Sequence, residues 1–352
     1  PIRAALRFAL GPNGDAHLGA LIAGHAAMFW ETVGMQREGL RWIDDALGAL
    51  PEHDAPARMQ ALLGKSRICA RLHLKTLAYE AAAEAVVLAA RSGDAKNGAW
   101  ARLLQAEPAS AIGRREEGRS CVEDAAAQFE RIGDSRGREA ALWQTAFLAF
   151  IDGRYAECRE RLEPLIERAR RRDERRLALQ GLIDLAETEF ALGNTNDAIA
   201  RGYEALETAR ELNATLLIGA SMQNIAAYLL EAGNIDEAIA LARESLELAS
   251  AFGYVNHVCY SMGHLADALA RTGHVREAAV FTGYADEQFR VLGSSRQGTE
   301  ARGYARVQHA FARFLDPSDL ARALREGAAL DAETAVDLAL HATSDRETDA
   351  AS

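Results

Sequence analysis

Asn224-Ile225-Ala226, then Gly233-Asn234-Ile235-Asp236-Glu237-Ala238, then Ser245-Leu246 decide how this chain is read. They give a small residue inside a helix-forming segment, a Gly-Asn break, an acid followed by a second small residue, and a third small residue seven places on. The pattern recurs at intervals of forty residues: turn positions fall at Gly113, Gly153, Gly193, Gly233 and Gly273, with His73 and, one residue out of step, Gly34 extending the column backward. A second column lies twenty residues further on, at Gly93, Gly133, Asp173, Asn213, Gly253 and Gly293. These residue types tolerate the left-handed conformation that ends a helix. Two helices per unit, each about eighteen residues long, follow from the spacing.

Small side chains keep the same register. One column is Gly39, Ala78, Gly118, Cys158, Ala198, Ala238 and Ala278; another is Ala46, Ala85, Ala125, Leu165, Ala205, Ser245 and Ala285; a third is Ala27, Ser66, Ala106, Ala146, Ala186, Ala226 and Ala266. Small residues at these places let the ridges of one helix settle into the grooves of the next. The pattern resembles the tetratricopeptide repeat, whose usual period is about 34 residues. The resemblance implies an all-α, right-handed superhelical solenoid of antiparallel helix pairs, with each helix almost a turn longer than in the short form.

The expected organisation is a lead-in helix in residues 1–14, seven repeats in 15–293, capping helices in 294–342 and a disordered tail in 343–352. Ala335, Leu338 and Leu340 are expected to cover the end of the array, because a terminal repeat otherwise shows its core to water. Pro108 and Pro164 fall inside expected helices and predict a kink or break there, since proline removes a backbone donor.

A net charge of -11 speaks against a nucleic-acid grip by the fold as a whole. Cys69, Cys121, Cys158 and Cys259 lie far apart, without the spacing of a zinc site or a disulfide framework, which fits a reduced cytoplasm. No apolar run approaches the roughly 20 residues needed to span a bilayer. Gly64-Lys65-Ser66 is the nearest thing to a phosphate loop, but Met59 stands where the motif needs glycine and no strand precedes it. The expectation is therefore no enzyme, no catalytic residue, no metal and no cofactor. The arginines 168, 170, 171, 172, 175 and 176, interrupted by Glu167 and Glu174, are read as a solvated turn.

Candidate binding residues come from one helix and one ladder. His257, Tyr260, His264 and Asp267 recur at steps of three, four and three, and so share a helical face suited to a ligand or a peptide. Gln144, Asp184, Asn224 and His264 occupy matching places in successive first helices. In tetratricopeptide proteins this position, the one before it and the one three after face the concave groove. The resemblance thereby adds Trp143, Phe147, Glu187, Gln223 and Asp267. Such a groove suits an extended peptide, with amides meeting its backbone and rings taking an apolar anchor.

Three short stretches point further. Ile2 to Leu10 with Asn13-Gly14-Asp15, Phe29-Trp30-Glu31 with Gly39-Leu40-Arg41-Trp42-Ile43, and Leu324-Arg325-Glu326-Gly327 with the run to Leu340 together resemble the C-terminal helical region of large bacterial regulators. Those proteins join a signal-transducing ATPase to a winged-helix or LuxR-type DNA-binding domain. The resemblance implies a sensor that takes a protein or peptide, or a small-molecule inducer, and controls its own upstream ATPase and DNA-binding domains, in the cytoplasm, without touching nucleic acid or membrane itself. The alternatives are a self-contained peptide-pheromone receptor and a plain assembly scaffold.

Overall fold

The computed structural model describes all residues except 34, 52, 73, 293–295, 297 and 343–352. The expected turns at Gly34, His73 and Gly293 and the expected tail therefore lie outside the described residues. The chain divides into two compact units, Pro1–Leu165 and Ile166–Ser352. The described residues are all-α, with no strand.

The first unit holds α1 (Ile2–Ala9), α2 (Ala16–His25), α3 (Ala27–Thr32), α4 (Gln36–Ala49), α5 (Ala55–Arg71), α6 (Lys75–Ser92), α7 (Ala95–Ala111), α8 (Arg115–Ile132) and α9 (Ser135–Ile151), and the division falls within α10 (Tyr155–Arg171). First helices start on aspartates in phase with the repeat. Asp54 accepts from Ala57 N, Asp94 from Asn97 N and Asp134 from Gly137 N, with Asp15 doing the same for Leu18 N. Each such cap stabilises its helix by about 1 kcal/mol. The motif Gly64-Lys65-Ser66 lies in mid-helix on α5, and a Cβ on Gly64 would come 2.8 Å from the carbonyl oxygen of Gly24. Gly64 is thus explained by the close crossing of α2 and α5.

The second unit holds α11 (Arg175–Leu192), α12 (Thr195–Glu211), α13 (Thr215–Ala232), α14 (Ile235–Ala251), α15 (Val255–Arg271) and α16 (Val275–Leu292), followed by α17 (Gly298–Phe314), α18 (Pro317–Ala328) and α19 (Ala332–His341). Its first helices have no side-chain cap bond, for Glu174, Ala214 and Tyr254 stand at the N-cap. Packing carries them instead. Ile225, Leu229, Met262, Leu265, Tyr284 and their neighbours form one apolar cluster that reaches into α17 and the two helices after it.

The small-residue columns lie where close packing needs them, and every member is buried. The turn columns behave as their composition predicts, down to the two members that are not glycine: Asp173 and Asn213 adopt φ of 57° and 49°. The fold is a helix-pair repeat solenoid of tetratricopeptide type.

Two expectations are corrected. Pro108 and Pro164 do not break their helices, for α7 and α10 run through them. Pro108 sits in the last turn, where little helix remains to deflect, and Pro164 lies on the exposed side of α10, where solvent can satisfy the carbonyl it leaves unpaired. Among the capping residues Ala335 is buried as expected, but Leu338 is 47% exposed, and Val336 and Ala339 are the buried partners beside it. At the arginine-rich turn Arg170 pairs with Glu167 and Glu204, and Arg175 with Glu211.

Candidate functional site

The expected groove residues fall in both units. In the first, Trp143, Gln144 and Phe147 lie on α9. Phe147 is 38% exposed and Leu142, five residues earlier on the same helix, 45% exposed, so α9 offers apolar contact. Trp143 and Gln144 are half-buried, and Trp143 Nε1 and Gln144 Nε2 meet no acceptor among the described residues.

In the second unit Asp184 and Glu187 lie on α11, Gln223 and Asn224 on α13, and His257, Tyr260, His264 and Asp267 on α15. Asn224 is half-buried, and Asp184 accepts from Gln180 Nε2 at 3.0 Å. Gln223 is buried and committed to structure. Its Nε2 donates to the carbonyl of His257 at 2.7 Å and to Ser261 Oγ at 3.2 Å; Ser261 Oγ bonds Ser245 Oγ, which donates to the carbonyl of Gly219. This chain of bonds joins α13, α14 and α15.

The stripe on α15 separates into two environments. His257 and Tyr260 join an aromatic set, with the His257 ring 6.0 Å from Tyr254 and 6.1 Å from Tyr260, and Tyr260 5.7 Å from Phe289. A small pocket beside Tyr260 is closed by Phe289, Tyr304 and Arg296, whose guanidinium lies 3.9 Å over the Tyr304 ring. His264 and Asp267, by contrast, are covered, at 3% and 1% exposure. Burial holds both histidines neutral, with pKa values of about 4; at His264 the nearby Asp267 opposes the shift and Arg306 adds to it.

What covers them is α17, which packs on α15, α13 and α16. Arg306 donates to Asp267 Oδ2 through Nη2 at 2.6 Å and to Glu231 Oε2 through Nη1 at 2.7 Å. Arg302 donates to the carbonyl of Phe190 on α11 at 3.4 Å, with its guanidinium 4.8 Å over that ring. At the near end of the helix Glu187 keeps part of its surface open, yet it is crowded enough that desolvation, then Glu300 and Asp184, lifts its carboxyl to about 8. The Tyr228 hydroxyl, fully buried against Phe190, is pushed well above its ordinary pKa by the same burial and the same carboxylates.

Thus the structure gathers Glu187, His264 and Asp267 under one helix, and leaves Phe147 open on another unit. Sequence reasoning missed Arg302, Arg306, Glu231, Phe190 and Tyr228. A signal for α17 was available in Thr299, Gly303, Val307 and Phe311, a strict four-residue stripe that the structure buries. Among the described residues no group of three or more His, Cys, Asp or Glu side chains is placed to hold a metal ion. No described helix is long and apolar enough to cross a membrane. The chemistry on offer is hydrogen bonding, ion pairing with guanidinium groups and apolar contact.

Helix pairs in this register define a protein of tetratricopeptide-repeat architecture. A tetratricopeptide-repeat family model matches residues 219–257. No curated protein matches the chain. Among solved structures the chain is similar to NprR in complex with its cognate peptide NprX, with a TM-score of 0.58 at 13% identity, covering 94% of this chain and 82% of that one. It is similar to a Rap protein complexed with competence and sporulation factor, with a TM-score of 0.57 at 13% identity over 88% and 76% of the two chains. It is also similar to a signal transduction ATPase with numerous domains, bearing a tetratricopeptide repeat sensor, from Pyrococcus horikoshii; the TM-score is 0.56 at 14% identity, over 94% of this chain but 50% of that one. These likenesses are likenesses of fold.

Proposed function

We propose that the chain is a peptide- or protein-binding sensor module of the tetratricopeptide kind, with the first-helix faces as its docking surfaces. The observation that carries this reading is the face of α11, α13 and α15, where acceptors toward the C-terminal ends of three successive first helices already hold a helix through charged hydrogen bonds. Such repeated faces bind by presenting side chains at regular intervals to one elongated ligand. The Rap and NprR structures, both described with peptide or factor bound, support a receptor for a peptide. Within the first unit, the exposed Phe147 on α9 offers a separate apolar contact of the kind that anchors a ligand.

A second reading rests on the likeness to the Pyrococcus horikoshii ATPase, of which this chain spans half the length. In that reading the chain is the sensor portion of a larger cytoplasmic regulator, with the ATPase and DNA-binding parts outside residues 1–352. A solenoid serves either role, because a ligand that prefers one arrangement of neighbouring repeats shifts the population toward it.

A thermal-shift screen of peptides, followed by titration of the hits against wild type, Trp143→Ala, Phe147→Ala and Asn224→Ala, tests the proposal. Hits should weaken by about tenfold or more in at least one variant, as truncated anchors do. Hits that bind all three variants as they bind wild type would remove these faces from consideration.

A further inference from the structure

α17 stands outside the repeat. α15 pairs with α16, and α16 pairs in turn with α18, so α18 takes the place that the next first helix would hold. The α16–α18 approach is close enough that a Cβ on Gly327 would lie 1.8 Å from the carbonyl oxygen of Val280. The end of the array is therefore closed by α18 without help from α17. α17 lies instead across first helices.

Its mode of attachment is that of a docked helix. Thr299, Gly303, Val307 and Phe311 form the buried stripe, four residues apart. Gly303 lets the backbone come close to α15, for a Cβ there would sit 3.3 Å from Asp267 Oδ2. Arg302 and Arg306, also four apart and hence one above the other on the helix, reach down to acceptors on three separate first helices: the Phe190 carbonyl of α11, Glu231 of α13 and Asp267 of α15. Beside that seat His264 Nε2 is buried with no hydrogen-bond partner among the described residues, and so is the Tyr228 hydroxyl. The seat is thus imperfectly filled, since these two buried polar groups gain no bond from α17. A buried polar group left without a partner costs free energy that a better-fitting segment recovers.

Resting on the sensor reading above, we infer that the α11–α13–α15 face is a binding site for a helical protein segment carrying two arginines four residues apart, and that α17 is its built-in competitor. The class of partner follows from the acceptors. Carboxylates and a ring face at these intervals suit guanidinium groups, which bridge two acceptors and stack at once. A partner that also offers polar groups to His264 Nε2 and the Tyr228 hydroxyl makes bonds that α17 does not. Such a segment displaces α17 by making the same guanidinium bonds and adding these.

The test uses the full chain and a labelled peptide with the sequence of residues 298–314. Wild type, whose own helix holds the face, should bind this peptide weakly. Arg306→Ala loosens α17 and should bind it at least about tenfold more tightly, since freeing a site raises apparent affinity by the fraction of open molecules gained. A peptide with both arginines replaced by alanine should bind neither protein. Adding Asp267→Asn to Arg306→Ala should abolish the gain, which separates an opened site from a partly unfolded, sticky chain. Hydrogen exchange supplies a second readout: α17 amides should exchange faster in Arg306→Ala while those of α13 stay protected. Equal binding to wild type and Arg306→Ala, equal binding of the two peptides, or unchanged exchange in α17 would each overturn the inference. Screened peptides that bind through Phe147 while this experiment fails would leave the sensor reading standing and this one refuted.

Discussion

Arg306 and Asp267 are unequal partners: their nitrogen and oxygen approach to 2.6 Å, but 31% of the arginine side chain is exposed against 1% of the aspartate. A buried charge that loses its partner is left stranded, whereas an exposed one turns to water. Removing the arginine should therefore do more damage than neutralising the aspartate.

Arg306→Ala is expected to lower stability by about 1–3 kcal/mol, less than the ~3–5 kcal/mol of a fully broken buried pair, since another arginine also serves that carboxylate. That arginine is Arg271, 3.3 Å from Asp267. Asp267→Asn should cost less, because Arg306 retains Glu231. Urea unfolding followed by circular dichroism ranks the two. The opposite order would contradict the burial on which the pair depends.

Glycine substitutions should separate two situations that look alike in sequence. Gly327→Ala drives a methyl group into the Val280 carbonyl and should destabilise by at least about 2 kcal/mol, the scale of overpacking against groups that cannot yield. Gly48→Ala, near the end of α4, meets nothing within 4 Å and should be neutral or stabilising by up to ~1 kcal/mol. Limited trypsin digestion should cut faster at Arg322 and Arg325 in the first variant and at wild-type rate in the second.

The repeat itself was plain in the sequence because its determinants are local. Gly233 ends a helix whatever lies elsewhere, and Ala226 or Ala238 is small for any neighbour, so forty-residue periodicity sufficed to place both. The Asp54, Asp94 and Asp134 caps are local in the same sense, each bonding an amide three residues on. The position of α17 was not readable in the same way. Its apolar stripe demands burial but names no surface, and the Arg306–Asp267 bond spans 39 residues. His264 and Asp267, expected on an open groove, are covered for that reason alone.

Stability should pass through a maximum on the pH axis. His257 and His264 have folded pKa values of about 4, below the unfolded value of 6.5, so the unfolded chain binds more protons between these limits and stability rises with pH across that window. Glu187 runs the other way. Its folded pKa of about 8 exceeds the ordinary glutamate value of 4.5, so the native chain binds the extra proton and stability falls as pH climbs toward 8. Above 6.5 the histidine contribution is complete and only the glutamate contribution still varies. Thermal melts between pH 6.5 and 8.5 should show declining Tm in wild type and a flatter profile in Glu187→Gln; parallel profiles would remove Glu187 as the cause.

The thiols should be silent until the chain unfolds. Cys69, Cys121, Cys158 and Cys259 are all buried, and burial raises Cys69 and Cys121 to about 11 and Cys259 to about 12. Reaction needs the thiolate. A colorimetric thiol titration at pH 8 should report no fast-reacting group in the native protein and four in denaturant. A prompt native signal would show that one of these helices opens readily.

The bonds running from Gln223 through Ser261 and Ser245 to the Gly219 carbonyl carry a mechanical consequence. They lie where solvent does not reach, so rotating α15 away from α13 would strand several donors and acceptors at once. Flexing of the second unit must be taken up at other joints, and these two helices travel as a single stiff plate.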